Sequence, residues 1–157
     1  MSMDLAECLI ETDQACWEAW LGQKGDPIGP EPHHLRVGQA DGKGRGVFAG
    51  RRFLKGEVIE RAPVLIIPAQ EWSQFEKTML YDYCYSWGDQ AEDMAFALGF
   101  GSLYNHSYHP NAVYKKNLDE LMIEFIALRN IEAGEEVTIN YNGYPTDESP
   151  LWFEVKP

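Results

Sequence analysis

The sequence predicts a mainly β fold, in the β-rich α+β class, with only a few short helices. Its 157 residues are enough to bury one hydrophobic core, and 45% of them are hydrophobic, as expected of a folded globule. Short apolar runs recur along the chain between glycine, proline and asparagine residues, which is typical of strands joined by turns. Helical periodicity is confined to two stretches, Asp4–Leu21 and Gln70–Leu80.

The first helical stretch carries apolar residues at steps of three and four from Leu5 to Trp20, and Gly22 is a helix-stop signal. Such stripes mostly face a core, so packing on the main domain is favoured over a dimer surface or a cover over a cleft. Glycines and prolines then crowd the chain as far as Pro32, which indicates a linker. Residues 1–32 are therefore predicted to form an N-terminal helix and a linker.

A glycine-rich segment, Gly42–Ala49, follows the first predicted strand. Its glycines at alternate positions allow another group to approach the backbone closely. The spacing differs from a dinucleotide-binding fingerprint and no helix pattern follows, so that class of site is excluded. In this half of the chain, strands are predicted at Leu35–Val37, Val47–Ala49, Val58–Ile59 and Val64–Ile67, with Pro63 separating the last two.

Aromatic side chains alternate with other residues from Tyr81 to Trp87, after the second helical stretch. This period of two predicts a strand. The aromatic residues are either half-buried sheet residues, which is favoured for most of them, or part of an aromatic wall. Further along the chain, Ala112–Lys116 and Leu121–Leu128 are predicted to form a hairpin, and Val137–Tyr141 the last strand.

A polar segment, Gly99–Asn111, lies between the apolar runs Met94–Leu98 and Leu121–Leu128. Asparagine and serine side chains hydrogen-bond their own backbone in turns, and Pro110 disfavours a helical conformation at His109. A polar loop held between buried strands is a common place for functional residues.

The net charge of −12 and the pI near 4.6 exclude a general nucleic-acid binder, which needs a basic surface. An acidic surface attracts basic partners such as a lysine-rich peptide. The same charge is equally compatible with a role in solubility alone, and charge does not separate the two.

No apolar run approaches the roughly 20 residues that span a bilayer, and the acidic N-terminus lacks the basic region of a secretory signal. The cysteines Cys8, Cys16 and Cys84 are too few and too scattered for a disulfide framework or a four-ligand zinc site. We therefore expect a soluble intracellular protein with no membrane attachment and no metal.

Three segments of the chain together resemble the motifs of one enzyme family. Gly42–Ala49 matches a G-x-G-x-[GA] start, Asn105–Asn111 matches N-H-S-x-x-P-N, and Gly134–Tyr141 matches G-E-E-[LV]-T-x-x-Y. In this order they resemble the SET-domain family of protein lysine methyltransferases, over about residues 35–144. Because the cysteine-rich zinc clusters of many eukaryotic members are missing, the resemblance is to the compact bacterial or viral type.

The resemblance implies a fold of small sheets, the β-clip, in which the C-terminal motif threads beside the Asn-His-Ser segment as a pseudoknot. Such threading is rare among proteins, which makes the crossing a specific expectation. The implied domain spans 33–144, with a variable insert at 70–93 that shapes the peptide groove, and 145–157 forms a C-terminal flanking segment.

The implied activity is methyl transfer from S-adenosyl-L-methionine to the side-chain amine of a lysine, in a histone or another basic protein. Tyr141 is the implied catalytic residue, acting as an orienting hydroxyl near the sulfonium. Its ordinary pKa near 10 makes it a poor general base. The residues implied in cofactor binding are Lys43, Gly44, Arg45, Gly46, Asn105, His106, Tyr141 and Trp152.

A channel for the substrate lysine is also implied by the resemblance. Many members carry Phe or Tyr two residues before the catalytic tyrosine, where this chain has Ile139, and Tyr114 is a candidate to fill the space. Mono-, di- and trimethylation therefore stay open. The implied channel residues are Tyr83, Tyr85, Tyr104, Tyr114 and Ile139.

The alternative is a catalytically inactive SET-like module that only binds other proteins. The intact Asn105, His106 and Tyr141 argue against it. A homodimer is compatible with the N-terminal helix. The expected location is the cytoplasm for a bacterial protein, and the nucleus or chromatin for a eukaryotic, viral or effector protein.

Overall fold

The computed structural model describes residues 34–155, which contain nine strands and one short α-helix. The predicted mainly β class is confirmed. The predicted N-terminal helix and linker lie outside the described residues, and the division of the chain into 1–32, 33–144 and 145–157 stays a prediction.

Four strands form a small sheet in the order β1-β2-β9-β6. They are β1 (Leu35–Ala40), β2 (Gly44–Ala49), β6 (Asn105–His106) and β9 (Glu136–Ile139). The pair β1–β2 is an antiparallel hairpin that contains the glycine-rich segment, whereas β6 and β9 pair in parallel. The sheet therefore brings all three motifs of the sequence side by side.

Five strands form a second, antiparallel sheet in the order β4-β5-β3-β8-β7. They are β3 (Val58–Ile67), β4 (Cys84–Trp87), β5 (Asp93–Ala97), β7 (Ala112–Asn117) and β8 (Met122–Ala127). The predicted β7–β8 hairpin is confirmed, in a register that pairs the first residue of β7 with the last of β8.

The predicted break at Pro63 is wrong, because β3 continues through it as one strand. The strand pairs with β8 as far as Pro63 and with β5 from Val64 onward. Proline has no backbone N–H to donate, so it is tolerated in a strand where that donor is not needed. Here it lies at the point where β3 changes partners.

The predicted helix at Gln70–Leu80 is replaced by three short pieces: a 3-10 helix at Ala69–Glu71, α1 at Trp72–Phe75 and a 3-10 helix at Met79–Tyr83. None of the three contains a buried residue, so no core contact supports a longer helix.

In the part of the chain that the structure describes, no helix has the length and apolar character of a membrane span.

The predicted strand from Tyr81 to Trp87 is right only in its second half. Tyr81 and Tyr83 belong to the 3-10 helix, in which the Tyr81 N–H donates to the Thr78 carbonyl at 3.2 Å. The local turn hydrogen bonds therefore outweigh the two-residue alternation until Cys84. From there on Tyr85 is half-buried and Trp87 is buried, as sheet residues should be.

One apolar core joins residues of both sheets. Its largest fully buried side chains are Tyr104, Phe53, Phe125, Ile123, Ile131, Ile139, Val47 and Val137. Phe125 of β8 packs against Tyr104 with ring centroids 4.3 Å apart. The core therefore fixes the residue that immediately precedes β6.

The C-terminal segment crosses beside the Asn-His-Ser motif, as predicted. The Ser107 N–H donates to the Ile139 carbonyl at 2.9 Å, and the Tyr141 N–H donates to His106 Nδ1 at 3.1 Å. Beyond β9, the Asn140 side chain donates to the Asp147 carbonyl at 2.7 Å. The first two bonds hold the end of β9 and the residues after it against the polar segment, and the third folds the following chain back onto Asn140.

Candidate active site

Two neighbouring cavities, of about 490 Å³ and about 240 Å³, lie where the three motifs meet. The larger volume is in the range of sites that hold small molecules. The residues that line both cavities are Asp82, Tyr83, Ser102, Tyr141 and Trp152. A molecule in one cavity can therefore approach a group in the other beside Tyr141.

One wall of the larger cavity is the turn between β1 and β2. Gly42 and Gly44 have φ of +70° and +77°, a left-handed conformation that glycine adopts without strain. The turn presents Lys43 and Arg45 at the cavity. These two cations suit a ligand that carries a carboxylate.

Asn105 forms the next part of the wall, and its amide orientation is fixed by its partners. Nδ2 donates to Glu136 Oε1 at 2.8 Å and to the Arg45 carbonyl at 3.1 Å. Both amide hydrogens are therefore used. The carbonyl oxygen Oδ1 has no partner among the described residues, and it can accept a hydrogen bond from an ammonium or amino group of a ligand.

Gly46 does not line either cavity, although the sequence suggested that it contacts a cofactor. A Cβ atom at this position would lie 2.5 Å from Glu136 Oε1 and 2.7 Å from Asn105 Nδ2. Glycine leaves the space in which the Asn105–Glu136 hydrogen bond packs directly against the backbone of β2. The contribution of Gly46 to the cavity is therefore indirect.

Replacing Gly46 with alanine is expected to displace Asn105 and weaken binding of S-adenosylhomocysteine, the demethylated form of the predicted cofactor, by about fivefold. The reason is the loss of the Asn105–Glu136 hydrogen bond, worth about 1 kcal/mol. Titration calorimetry measures the affinity. Gly56→Ala is the control, since Gly56 has φ +84° but open space around its Cβ position. It should lower stability and leave affinity unchanged; equal affinities in both variants would contradict the account.

His106 is buried in the wall of the same cavity, with its ring perpendicular to that of Tyr108 at 4.5 Å. Because Nδ1 accepts the Tyr141 N–H, the hydrogen of the neutral ring is on Nε2, which is buried without a partner in the described part of the chain. Burial, and to a lesser extent the Lys43 ammonium, lower the pKa of His106 below its usual 6.5.

Acidification is expected to destabilise the protein through His106. Because the pKa of His106 is lower in the folded protein than in the unfolded chain, the unfolded chain binds the proton first as the pH falls. The stabilisation that neutral His106 contributes above pH 6.5 is therefore lost as the pH falls through its folded-state pKa. Protonation also removes the acceptor for the Tyr141 N–H. Denaturant unfolding from pH 7.5 to 5 should therefore show a smaller pH effect in His106→Asn than in the wild type. His109→Asn is the control, because His109 is exposed. A pH effect in His106→Asn that is as large as in the wild type would rule out this role of His106.

Aromatic side chains of the C-terminal segment cover the larger cavity. Trp152 stacks nearly parallel to Tyr141 at 6.3 Å, and Phe153 stands edge-on to His106 at 6.4 Å. Trp152 is nevertheless 67% exposed, so one face of its ring is free. A flat aromatic ligand can stack on such a surface.

The smaller cavity is walled mainly by tyrosines: Tyr83, Tyr85, Tyr104, Tyr114 and Tyr141. Four of the predicted channel residues are thus brought together here. The fifth, Ile139, lies fully buried in the core and lines neither cavity. Its neighbours in β9 and the pairing of β9 with β6 fix its side chain on the core side of the sheet.

Burial shifts the pKa of several ionisable groups in and beside this cavity. Burial raises the pKa of Tyr85 and Tyr104 well above the usual 10, and that of Cys84 to about 11. It also lowers the pKa of the Lys116 amine, whose Nζ donates to Ser86 Oγ at 2.9 Å. An amine that enters the cavity is therefore pushed toward its neutral form.

Tyr141 stands between the two cavities, and its hydroxyl donates to the Tyr104 carbonyl at 2.8 Å. Burial, with a smaller contribution from Tyr83, raises the pKa of Tyr141 to about 12. The phenol is therefore protonated at neutral pH. It can orient a reacting group by hydrogen bonding, but it cannot accept a proton efficiently.

Several lining residues were not named among the site residues that the sequence predicted. Ser102 holds the turn after β5 by donating to the Ala97 carbonyl at 2.9 Å and accepting from its N–H at 3.1 Å. Asp82, Leu103 and Phe153 also line the larger cavity. For Ser102 and Leu103, the position just before the Asn-His-Ser motif could have indicated a place at the site.

Comparisons with known proteins agree with this geometry. Residues 44–142 match the SET domain family. Over 121 residues the chain is 36% identical to a Schizosaccharomyces pombe histone-lysine N-methyltransferase described as specific for lysine 37 of histone H3. That match covers 76% of this chain and 77% of the relative.

Solved structures with the same fold include a candidate histone methyltransferase of Plasmodium falciparum, with a TM-score of 0.58, 29% identity, and coverage of 69% of this chain and 92% of that chain. Another is an autoinhibited Chaetomium thermophilum Polycomb Repressive Complex 2 bound to S-adenosylmethionine, with a TM-score of 0.60 and 23% identity over 72% of this chain and 16% of that chain. These relatives are eukaryotic and do not support the bacterial or viral type. The sequence match and the shared fold show that this chain belongs to the SET-domain family of protein lysine methyltransferases.

Proposed function

We propose that this chain transfers a methyl group from S-adenosylmethionine to a lysine amine of a histone tail, with Tyr141 as the catalytic residue. The observation that carries the proposal is the meeting of the two cavities at Tyr141. The larger cavity suits the cofactor, and the smaller one suits a narrow aliphatic amine.

The residues of the larger cavity fit the groups of the cofactor. Lys43 and Arg45, with the backbone of Gly44, would hold its carboxylate, and Asn105 Oδ1 would accept from its amino group. The backbone of His106 and the exposed face of Trp152 would hold the adenine. When bound, S-adenosylmethionine supplies an electrophilic methyl group on a positively charged sulfur.

The protein's main chemical task is to present the lysine as a neutral amine. An exposed lysine has a pKa near 10.4, so deprotonation at pH 7 costs about 4–5 kcal/mol. The tyrosine-walled cavity lowers this cost because it stabilises the ammonium less well than water does. The raised pKa of Tyr114 and the lowered pKa of Lys116, both caused by burial, support this effect.

Tyr141 would act by orientation. Its hydroxyl is held by the Tyr104 carbonyl at 2.8 Å, so its oxygen lone pairs are directed to other neighbours. A fixed dipole of this kind aligns the nitrogen with the methyl group and contributes without reorganising during the reaction. The proton of the lysine ammonium leaves to solvent before transfer, because the Tyr141 phenol, whose pKa burial raises to about 12, is a poor proton acceptor.

The substrate class rests on two observations. The relative in Schizosaccharomyces pombe is described as a histone H3 methyltransferase, and this chain carries a net charge of −12. An acidic protein attracts a lysine-rich histone tail at low ionic strength. A histone substrate would locate the enzyme in the nucleus. A homodimer through Asp4–Leu21 stays a separate prediction.

The proposal is tested by incubating the full chain with labelled S-adenosylmethionine and each purified core histone, followed by mass spectrometry of the labelled band. We expect methylation of a tail lysine, most strongly on histone H3. Calorimetry with S-adenosylhomocysteine separates the alternatives. Cofactor binding without label on any histone would point to another lysine-bearing substrate, and no binding at all would favour the inactive interaction module.

A further inference from the structure

Glu60 of β3 is half-buried, lines neither cavity, and has both carboxylate oxygens occupied. Oε1 accepts from the Phe100 N–H at 2.8 Å, and Oε2 accepts from the Tyr104 hydroxyl at 2.8 Å. No lysine or arginine of residues 34–155 forms an ion pair with it. Burial raises the pKa of Glu60 and the two hydrogen bonds oppose that rise, so they are what compensates the buried charge.

The turn after β5 is shaped around this carboxylate. Gly99 has φ +64°, and a Cβ atom there would collide with Glu60 Oε1. The close approach lets the next residue, Phe100, direct its N–H at the carboxylate. Glu60 therefore fixes the start of the segment that leads to the Asn-His-Ser motif.

Glu60 is linked to the catalytic tyrosine through a single residue. The hydroxyl of Tyr104 is held by Glu60, and its backbone carbonyl accepts the hydroxyl hydrogen of Tyr141 at 2.8 Å. The ring between them is buried and packs on Phe125. Movement of the Tyr104 ring is therefore transmitted to the acceptor that orients Tyr141.

A second link runs through the same turn to the wall of the smaller cavity. The Tyr85 hydroxyl donates to the Gly101 carbonyl at 2.6 Å, one residue after Phe100. Tyr85 lines the smaller cavity and contacts Tyr114 with ring centroids 5.0 Å apart. Displacing the turn would therefore shift the wall on this side as well.

We propose that Glu60 is a positioning residue for methyl transfer, which acts through Tyr104 and the Gly99–Gly101 turn on the hydroxyl of Tyr141. This inference rests on the proposed function. Because Glu60 contacts neither cavity, it acts on the alignment of the reacting groups and not on binding. Its loss should therefore lower kcat and leave the KM values for peptide and cofactor unchanged.

The test compares four variants of the full chain in steady-state kinetics with a histone peptide. Tyr104→Phe removes one hydrogen bond to the carboxylate, and Glu60→Ala removes both; each should lower kcat by about tenfold, which corresponds to about 1.4 kcal/mol. Glu60→Gln keeps a group that can hydrogen-bond to both the Phe100 N–H and the Tyr104 hydroxyl, but removes the negative charge. Its kcat should therefore be within about threefold of the wild-type value. Adding Tyr104→Phe to Glu60→Ala should cost less than about twofold more, because the shared bond is already lost.

Glu124→Gln is the matched control. Glu124 lies on β8 opposite Arg61, the residue after Glu60, and forms an ion pair with it at 2.8 Å near the surface. Its replacement should change kcat by less than about twofold, as expected for an exposed pair.

Given an active wild type, three results would overturn the inference alone: a Tyr104→Phe variant, folded by circular dichroism, that keeps the wild-type kcat; losses that multiply in the double variant; or a change confined to KM. A wild type that binds cofactor but transfers no methyl group to any lysine would overturn the proposed function first. If Glu60→Ala fails to fold, Tyr104→Phe still decides the question.

Discussion

Replacing Tyr141 with phenylalanine is expected to lower kcat by about 100- to 1,000-fold, the usual cost of removing a hydrogen-bonding group that acts in the transition state. The substitution removes the hydroxyl held by the Tyr104 carbonyl and keeps the ring that stacks on Trp152. Affinity for S-adenosylhomocysteine should therefore stay within about threefold of wild type. Single-turnover kinetics with labelled cofactor separate the chemical step from product release.

The control for this variant is Tyr144→Phe. Tyr144 is 77% exposed and lines neither cavity, so its hydroxyl should be dispensable. A Tyr141→Phe protein that retains more than about a third of the wild-type kcat would contradict the catalytic assignment.

Asn111→Ala is expected to lower the free energy of unfolding by about 3–5 kcal/mol, from the loss of three hydrogen bonds and the buried groups left unpaired. Its side chain is buried; Oδ1 accepts the Thr138 N–H at 2.8 Å, and Nδ2 donates to the Glu136 carbonyl at 2.7 Å and to Glu135 Oε1 at 3.3 Å. These bonds tie the polar segment to β9. In the variant, the Thr138 N–H and the Glu136 carbonyl would lose the hydrogen bonds that the Asn111 side chain gives them.

Equilibrium denaturation in urea measures the effect, with Asn117→Ala as control. Among the described residues, the Asn117 side chain makes hydrogen bonds only to Glu120, in the β7–β8 turn. Its loss should cost about 1 kcal/mol. Similar costs for the two variants would show that the polar segment is not what holds β9 in place.

The fold was predictable where local pattern and tertiary environment agree. The β7–β8 hairpin has alternating or apolar runs on both sides of a polar turn, and it forms as predicted, with Ala112 opposite Ala127. The three motifs were predicted to converge, and the β1-β2-β9-β6 sheet brings them side by side. These features depend on short-range periodicity or on motifs that the sequence displays directly.

The fold was not predictable where a partner strand or a missing core contact decides the outcome. From the sequence alone, Pro63 suggests a break between two strands. It lies instead where β3 changes partner strands, which no local sequence pattern reveals. Gln70–Leu80 has helical spacing, yet none of the helical residues between Ala69 and Tyr83 is buried, so the stripe has nothing to pack against.

The residues of the candidate site were likewise predicted only in part. The motif residues Lys43, Asn105 and Tyr141 lie at the larger cavity, as the resemblance to the family implied. Ile139 does not line it because its side chain is buried in the core, and Gly46 does not because the Asn105 and Glu136 side chains pack against it on the other face of the sheet. The hydrogen-bond partners of Glu60 could not be predicted from the sequence, because Phe100 and Tyr104 lie some forty residues away along the chain.

The central claim is that the methyl donor and a neutral lysine amine meet beside Tyr141. A crystal structure with S-adenosylhomocysteine and a lysine-containing histone peptide tests it most directly. We predict the cofactor product against Lys43, Arg45 and Asn105, and the lysine side chain between Tyr85 and Tyr114 with its nitrogen next to the Tyr141 hydroxyl. A lysine bound outside the tyrosine-walled cavity, or a cofactor product that does not reach Tyr141, would contradict the account.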